Sequence, residues 1–556
     1  MTVINNTSDN AQSTISADDY HQRSKHSLKQ YSAGPETLDW SMQPDPFRVF
    51  KGCQQIPLSL NADNLNVNFN DLYISNKVFN RELTLDNIST LFEISLGLSA
   101  WKQYGPDKWS LRCNPSSGNL HPTEAYLVNW DKNIITPAIY HYRSDQHALE
   151  QRCDIDITLG DSLKEQNQSS EGFIIGLSSI HWREAWKYGE RAYRYCQLDI
   201  GHAIGAITYA AACLGWKVLL LDNLSDQQIN SLLGLTREAD FGSSEREYPD
   251  TLLYISTHKT KDVMTITSIV ENLCGHVNQL KWYGQANILD SHPFYHWPII
   301  ENAVSATIKP KTTKLITRAT KDNLDELYAD KEYINASNLL RKRRSAQAFD
   351  SKESIPADTF FYMLERLLPH NTLPWSSISL TPRIHPVFYV HRVDGLKPGL
   401  YVLIRDTGAM KLLKNNMRKE FSWSKVNNCP DNIPLYELVL ASSQKAARTV
   451  SCHQDIAADS AFTISMLSEY KTTLCEGDWN YRYLHWEAGL IGQVLYLEAE
   501  AANLRATGIG CFFDDTVHEL MGIDSKELQV IYHFTVGTPV IDGRMISSPP
   551  YNHLMR

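Results

Sequence analysis

Two stretches of this 556-residue chain are diverged copies of one another, and that repeat limits the fold more than any other feature. Tyr193-Arg194-Tyr195 recurs as Tyr481-Arg482-Tyr483, Gly201 as Gly489, and Leu233-Gly234-Leu235 as Met521-Gly522-Ile523. Each match lies 288 positions on (481 − 193, 489 − 201, 522 − 234), so some forty residues align without a gap. One short match arises by chance, but several in constant register mark an internal duplication. A looser pairing lies upstream, where His121-Pro122 and Tyr126 echo His385-Pro386 and Tyr389, and Pro137 to Tyr142 (PAIYHY) echoes Pro398 to Leu403 (PGLYVL). The length also exceeds one ordinary core. The expected organisation is a first domain over 19–259 and a second over 321–556. Residues 260–320 have no counterpart and read as a linker with a packed aromatic portion (Trp282, Tyr283, Tyr295, Trp297), or as aromatics lining a substrate pocket. Residues 1–18 read as a disordered polar tail.

Composition excludes several classes. With 42% hydrophobic and 21% charged residues the chain is of soluble globular type. A net charge of −10 argues against a nucleic-acid or anionic-membrane surface. The ten cysteines are dispersed without a CxxC, so neither a zinc site nor a disulfide framework is indicated, and no metal is expected. The polar N-terminus lacks the apolar stretch of a signal peptide, and no apolar run is long enough to span a bilayer. A reducing cytoplasm is the default compartment.

Hydrophobic patterning predicts an apolar helix over Leu91 to Trp101, strands at AYLVNW and PAIYHY, and a buried strand over Gly172 to Leu177. Trp186 to Lys217 reads as a long helix, with its twin near Leu484 to Leu504. The twin is long enough to cross a membrane, but it carries His485, Glu487, Gln493, Glu498 and Glu500. That pattern fits a buried helix between two packed halves.

Three stretches carry candidate chemistry. Leu111 to Tyr126 contains Pro115-Ser116-Ser117-Gly118-Asn119, whose hydroxyls, amide and permissive glycine suit the polar edge of a flat heteroaromatic ring, or make a Ser/Gly/Asn turn. Arg341-Lys342-Arg343-Arg344-Ser345-Ala346-Gln347 leads into an apolar helix. Guanidinium forks and a hydroxyl near a helix start match a phosphate; a solvated basic run is the alternative. Val536-Gly537 and Asp542-Gly543-Arg544 add another candidate phosphate cation. No Walker A loop, GxSxG or HExxH occurs, and Phe513 stands where a Rossmann fingerprint following Gly508-Ile509-Gly510 needs its third glycine.

The RRS-type motif, the PSSGN-type loop and the long central helix followed by a Gly-rich turn together resemble the nitroreductase family of flavoproteins. PSSGNLHPTEAY and KYGERAYRY resemble its SagB-type, or thiazole-oxidase, branch. The resemblance implies an α+β fold, a mostly antiparallel sheet wrapped by helices, paired as an intertwined dimer with FMN at the interface. In such dimers one subunit supplies the phosphate ligands and the other the PSSxN loop. Half one keeps the loop (Pro115, Ser116, Ser117, Asn119). Half two has lost it, but keeps Arg343, Arg344, Ser345 and the turn Thr507-Gly508-Ile509-Gly510, where half one has Leu219 to Asp222 (LLLD). The surviving parts complete one site, so the resemblance implies one FMN per chain in an intramolecular pseudo-dimer. Gln347 stands where the family usually places another cation.

In azoline-oxidising relatives a Lys-Tyr pair is thought to handle substrate protons, which gives Lys187 and Tyr188 a catalytic role here; an exposed helix start flanked by Glu184 and Glu190 is the alternative. Half two has Cys475 and Glu476 at those positions. The expected activity is hydride transfer through the flavin N5. It acts either as an azoline-type dehydrogenase on a small-molecule or peptide-borne heterocycle, or as a nitro or quinone reductase with NAD(P)H docking over the flavin without a fold of its own. The rival is a non-catalytic flavin-binding or scaffold protein within a larger assembly.

Overall fold

The computed structural model describes residues 15–166, 171–257, 263–313, 332–378 and 381–554. Each half builds a seven-stranded, wholly antiparallel sheet; six strands share one spatial order, and the first edge strand comes from a different place in each half. The first runs Gln55–Pro57, Ala148–Asp154, Ala138–Arg143, Thr123–Asn129, Gly172–Ser179, Tyr248–Ser256, Lys217–Leu220. The second runs Ser424–Lys425, Leu435–Leu440, Gly399–Leu403, Ile384–Val390, Phe462–Glu469, Leu528–Gly537, Arg505–Ile509. The inner strands read as almost continuous apolar runs because helices cover both faces. The fold class is therefore α+β, with two domains of one architecture.

The central helices Ala192–Cys213 and Asn480–Ala501 have 22 residues each and begin and end 288 positions apart. They pack on one another, and the repeat explains how. A Cβ on Gly201 would lie 2.3 Å from the Trp486 carbonyl oxygen, and one on Gly489 2.2 Å from that of Leu198. Both glycines are needed because backbone meets backbone at the crossing. The duplicated Tyr-Arg-Tyr motifs sit beside it. The Tyr193 and Tyr481 rings lie parallel, 6.5 Å apart. Arg194 pairs with Asp514 at 2.7 Å and Arg482 with Asp226 at 2.8 Å. Asp226 and Asp514 each open the equivalent helix of the opposite half, Asp226–Leu233 and Asp514–Met521, and those helices end on Gly234 and Gly522 with φ of 68° and 70°. The motifs thus exchange buried ion pairs reciprocally between halves.

Local structure differs from the sequence reading in four places. The expected helix over Leu91 to Trp101 is a helix over Leu85–Ser95, and the chain then enters the hairpin Leu98–Tyr104/Asp107–Arg112, turned at Gly105 with φ 57°. Its outer edge pairs with Ile546–Ser548 from half two. The expected long helix from Trp186 is interrupted at Gly189, φ 55°, between His181–Tyr188 and Ala192–Cys213. The basic run follows the end of the helix Ala336–Lys342 rather than starting one, since the next helix is Ala357–Leu367. Its cations therefore gain nothing from a helix N-terminus. Finally, the segment read as a linker carries the helices Val263–His276 and Pro298–Ala306, and Ile266, Ile269, Val270 and Leu273 join the core of half one.

Most of the expected tail, to residue 14, lies outside the described residues. The helix Ala17–Arg23 begins within it, closed by a Ser16–Asp19 capping box. Among the described residues no helix is long and apolar enough to cross a membrane.

The helix crossing sets the first test. Gly201→Val is expected to cost about 3 kcal/mol or more in urea unfolding, because two backbones must separate. Gly543→Ala, with nothing within 4 Å of the new methyl, is expected to stay within about 0.5 kcal/mol.

Candidate functional site

The Pro115–Asn119 loop follows the hairpin directly and is fixed from inside the protein. Its tight shape needs left-handed backbone at Gly118, Asn119 and His121 (φ 58°, 60° and 54°). The Ser117 N–H donates to both Asp199 carboxylate oxygens (3.0 and 3.1 Å), and its hydroxyl donates to one of them (2.9 Å). The Ser116 hydroxyl accepts from the His121 N–H at 2.8 Å, and the Asn119 amide donates to the Ser110 carbonyl at 2.9 Å. Asp199 is buried on the first central helix, so the loop is anchored to the element that joins the halves.

This loop forms one wall of a cavity of about 460 Å³ between the two halves, within the range of cofactor pockets. The first central helix adds Tyr195, Asp199 and His202, spaced four and three apart and therefore on one face. Half two supplies the opposite wall: Arg343, Arg344, Ser345, Gln347, Tyr496, the strand carrying Gly508 and Ile509, then Gly510, Cys511 and Tyr532. Ser345 bridges to Ala506, which lays the basic segment along that strand, and its hydroxyl shares a 2.8 Å hydrogen bond with Tyr496.

The cationic end of the cavity is poorly neutralised. Arg343 is buried, 4% exposed; its Nε and Nη2 donate to the Cys113 and Arg112 carbonyls (3.2 and 3.4 Å), and Nη1 has no partner among the described residues. Among the described residues the Arg344 side chain donates to backbone carbonyls, those of Arg341, Arg343 and Ser99, and Glu500 is the carboxylate nearby that acts on Arg343, Arg344 and Arg505. Burial lowers both guanidinium pKa values, that of Arg344 to about 10. Lys102 and Arg505, absent from the sequence reading, face the same space. Four cations gathered with one buried N–H left over make a site for an anion. Arg544, by contrast, is turned away: it is exposed, bonded to Asp542 at 2.7 Å, and only Asp542 reaches the wall.

Gly508 and Gly510 have a specific reason to be glycine. A Cβ on Gly508 would lie 1.8 Å from the Tyr532 hydroxyl, and one on Gly510 2.2 Å from the Tyr195 ring. Tyr188 likewise reaches the loop, its hydroxyl 2.5 Å from where a Gly118 Cβ would stand. Lys187 lies behind the wall rather than on it, its ammonium 5.2 Å from the Trp40 ring and 5.3 Å from the Tyr188 ring. Burial lowers its pKa, opposed by Glu184.

Glu184 itself is fully buried, with neither carboxylate oxygen partnered among the described residues. Burial, reinforced by Asp199, pushes its pKa well up, so it holds a proton. Asp199 is raised by burial to about 7, against the pull of its Ser116 and Ser117 bonds. His202 is driven down to about 3 by burial and stays neutral, sharing hydrogen bonds with Gln493 (3.4 Å) and Tyr532 (3.2 Å). No group of side chains able to hold a metal occurs among the described residues.

The equivalent place on the other side of the helix crossing is closed. Only about 10 Å³ remains there, between Leu220, Trp375, Glu487 and Leu490, room for about one water. In the 288-residue register Leu220 stands for Gly508, Leu490 for His202 and Glu487 for Asp199. The Arg383 N–H donates to Glu487 at 2.9 Å, as Ser117 does to Asp199, and Arg405 pairs with the same carboxylate. The frame is duplicated; the space is not.

Residues 80–241 and 340–538 each match the family model described as Nitroreductase family. The chain is 22% identical over 155 residues to the candidate nitroreductase MJ1384 of Methanocaldococcus jannaschii, covering 27% of this chain and 74% of that one. A candidate nitroreductase structure from Anabaena variabilis superposes over 94% of this chain and 99% of its own, at 22% identity and a TM-score of 0.66. A chain of the E. coli microcin synthetase McbBCD complex with truncated pro-MccB17 bound overlaps 44% of this chain and 92% of its own, at 17% identity and a TM-score of 0.26.

Asp199 gives the site a pH signature. Its folded pKa of about 7 exceeds the ordinary 3.8, so the folded state binds this proton more tightly and loses stability as pH rises between those values. The unfolding free energy of wild type relative to Asp199→Asn is expected to fall by up to about 1.4 kcal/mol per pH unit from pH 4 to 7. A flat difference would place the carboxyl in an ionised state throughout.

Proposed function

Because the chain belongs to the nitroreductase family of oxidoreductases, we propose that the cavity between its halves binds one FMN and that both halves of a single chain are needed to hold it. The observation that carries this reading is Arg343, a buried guanidinium with a free N–H and no carboxylate hydrogen-bonded to it among the described residues, facing the Ser117–Asp199 loop of the other half. A phosphate would complete the hydrogen bonding of Arg343, with Arg344, Ser345, Lys102 and Arg505 around it and Gln347 at the margin. Pro115, Ser116, Ser117 and Asn119 form the wall that a flat ring would meet, opposite Gly508, Ile509 and Gly510. The halves then act as an intramolecular pseudo-dimer, with the equivalent second space closed.

When bound, the flavin supplies a two-electron hydride acceptor or donor. The protein's part is orientation, exclusion of water and proton handling. Tyr188 presents its hydroxyl at the loop, and burial followed by Glu184 raises its pKa, so it enters any reaction as the phenol. Glu184 holds a proton nearby, and the Lys187 ammonium lies 5.3 Å from the Tyr188 ring and 5.2 Å from that of Trp40. Tyr188, the one of these three on the cavity wall, is the residue placed to give or take the companion proton. This favours dehydrogenation of an activated C–H in a small-molecule or peptide-borne heterocycle, the SagB-type reaction, over a nitro or quinone reductase fed by NAD(P)H. A reductase takes up a proton with each hydride as well, so the tilt rests on the Lys187–Tyr188 pair itself, which half two replaces with Cys475 and Glu476.

The test separates phosphate recognition from ring recognition. Purified protein is expected to bind FMN more tightly than riboflavin. In Arg343→Ala, FMN affinity falls about 10- to 100-fold, equivalent to about 1.5–3 kcal/mol for lost charge-assisted hydrogen bonds, and riboflavin affinity barely changes. Equal losses for both ligands would remove Arg343 from phosphate binding.

A further inference from the structure

Cys452 and Cys511 are 59 residues apart in sequence, yet their sulfurs lie 2.8 Å apart, in a thiol–thiol hydrogen bond. Several contacts hold the two segments in register. The Phe513 N–H donates to the Val450 carbonyl at 2.8 Å, and the Gln454 side chain donates to the Cys511 carbonyl at 3.2 Å. Ser451 shares a 3.0 Å hydrogen bond with His533. The turn between them places two successive non-glycine residues, Cys452 and His453, in left-handed backbone (φ 52° and 58°), a conformation that persists only where the surroundings enforce it. Bringing the sulfurs to the ~2.05 Å of a disulfide takes a shift of about 0.8 Å.

The two thiols are not equivalent. Cys511 is half-buried and lines the cavity, directly after Gly510. The groups around it are His26, Arg191, Asp514, Tyr31 and Tyr195. The neighbouring Cys452 thiol, with His26 and Arg191 behind it, lowers the Cys511 pKa against the effect of burial, and Cys452 is pushed up in turn. Cys511, on the cavity wall, is thus the attacking thiol and Cys452 its resolving neighbour.

We infer that Cys452 and Cys511 form a thiol–disulfide exchange centre on the cavity wall, with low-molecular-weight disulfides as the oxidising substrate. The Cys511 thiolate attacks one sulfur of the incoming disulfide; that S–S bond breaks, and the first thiolate leaves and takes a proton. Cys452 then gives up its proton and attacks the Cys511 sulfur, which releases the second thiol and leaves an intramolecular disulfide. The protein dithiol loses two electrons and two protons, and the small disulfide becomes two thiols.

The experiment uses the full chain, reduced and freed of reductant, then equilibrated with glutathione disulfide, alkylated and mapped by peptide mass spectrometry. Wild type is expected to yield the Cys452 and Cys511 peptides cross-linked, lighter by two hydrogens. Cys452→Ser is expected to trap glutathione on Cys511, and Cys511→Ser to leave Cys452 alkylated and unmodified by glutathione. Recovery of both peptides separately alkylated from oxidised wild type, or glutathione on Cys475 but not on Cys511 in Cys452→Ser, would overturn the inference.

Discussion

The structure depends on a contact between two glycines. At Gly201 and Gly489 the central helices approach so closely that a single methyl on either would strike the other helix's backbone. That approach lets Tyr193 and Tyr481 lie face to face and lets Arg194 and Arg482 reach carboxylates of the opposite half. The buried ion pairs orient more than they stabilise, since taking both partners out of water offsets much of their attraction. Their reciprocity fixes one angle between the halves, and everything facing the crossing inherits that geometry. Asp199 and His202 flank Gly201 on the first helix, so whatever they hold is positioned relative to half two as accurately as the helices themselves.

The same frame frames two spaces and keeps only one open. Side chains the packing requires are duplicated: the crossing glycines, the Tyr-Arg-Tyr motifs, the left-handed glycine caps. Side chains facing the spaces are not. Leu220 and Leu490 put branched apolar groups where the other side has Gly508 and His202, and Trp375 fills the remainder. Filling a redundant hollow recovers contacts that an empty one would forfeit. On the open side the buried Arg343 Nη1, on the cavity wall, has no partner among the described residues. An arrangement that leaves such a group unsatisfied in the isolated chain is set up for a ligand.

Much of this was legible in the sequence because it rested on periodicity and exact spacing. The 288-residue register located the central helices, and the PSSGN-type loop and the basic run, read through the family resemblance, both lie on the wall of one cavity. What failed was local. Leu98–Trp101 is apolar enough for helix or strand, and only its pairing with Asp107–Arg112 and Ile546–Ser548 decides for strand. The basic run looked like a helix start, but it lies along the strand Arg505–Ile509. Arg544 had the right chemistry and the wrong partner, Asp542, whereas Lys102 and Arg505 arrive from elements with no motif. The Asp199–Ser117 anchor and the Cys452–Cys511 pair join residues 82 and 59 positions apart. Such distances leave no pattern in a single chain; only the fold brings the partners together.

The measurement that tests the central claim most directly is an equilibrium titration of the full chain with FMN, with the mass of the complex measured in the same solution. A composite cavity predicts saturation at one FMN per chain, whether the chain is monomeric or associated. Saturation at two per chain would mean that the space around Leu220 and Glu487 opens to ligand, and would contradict the account.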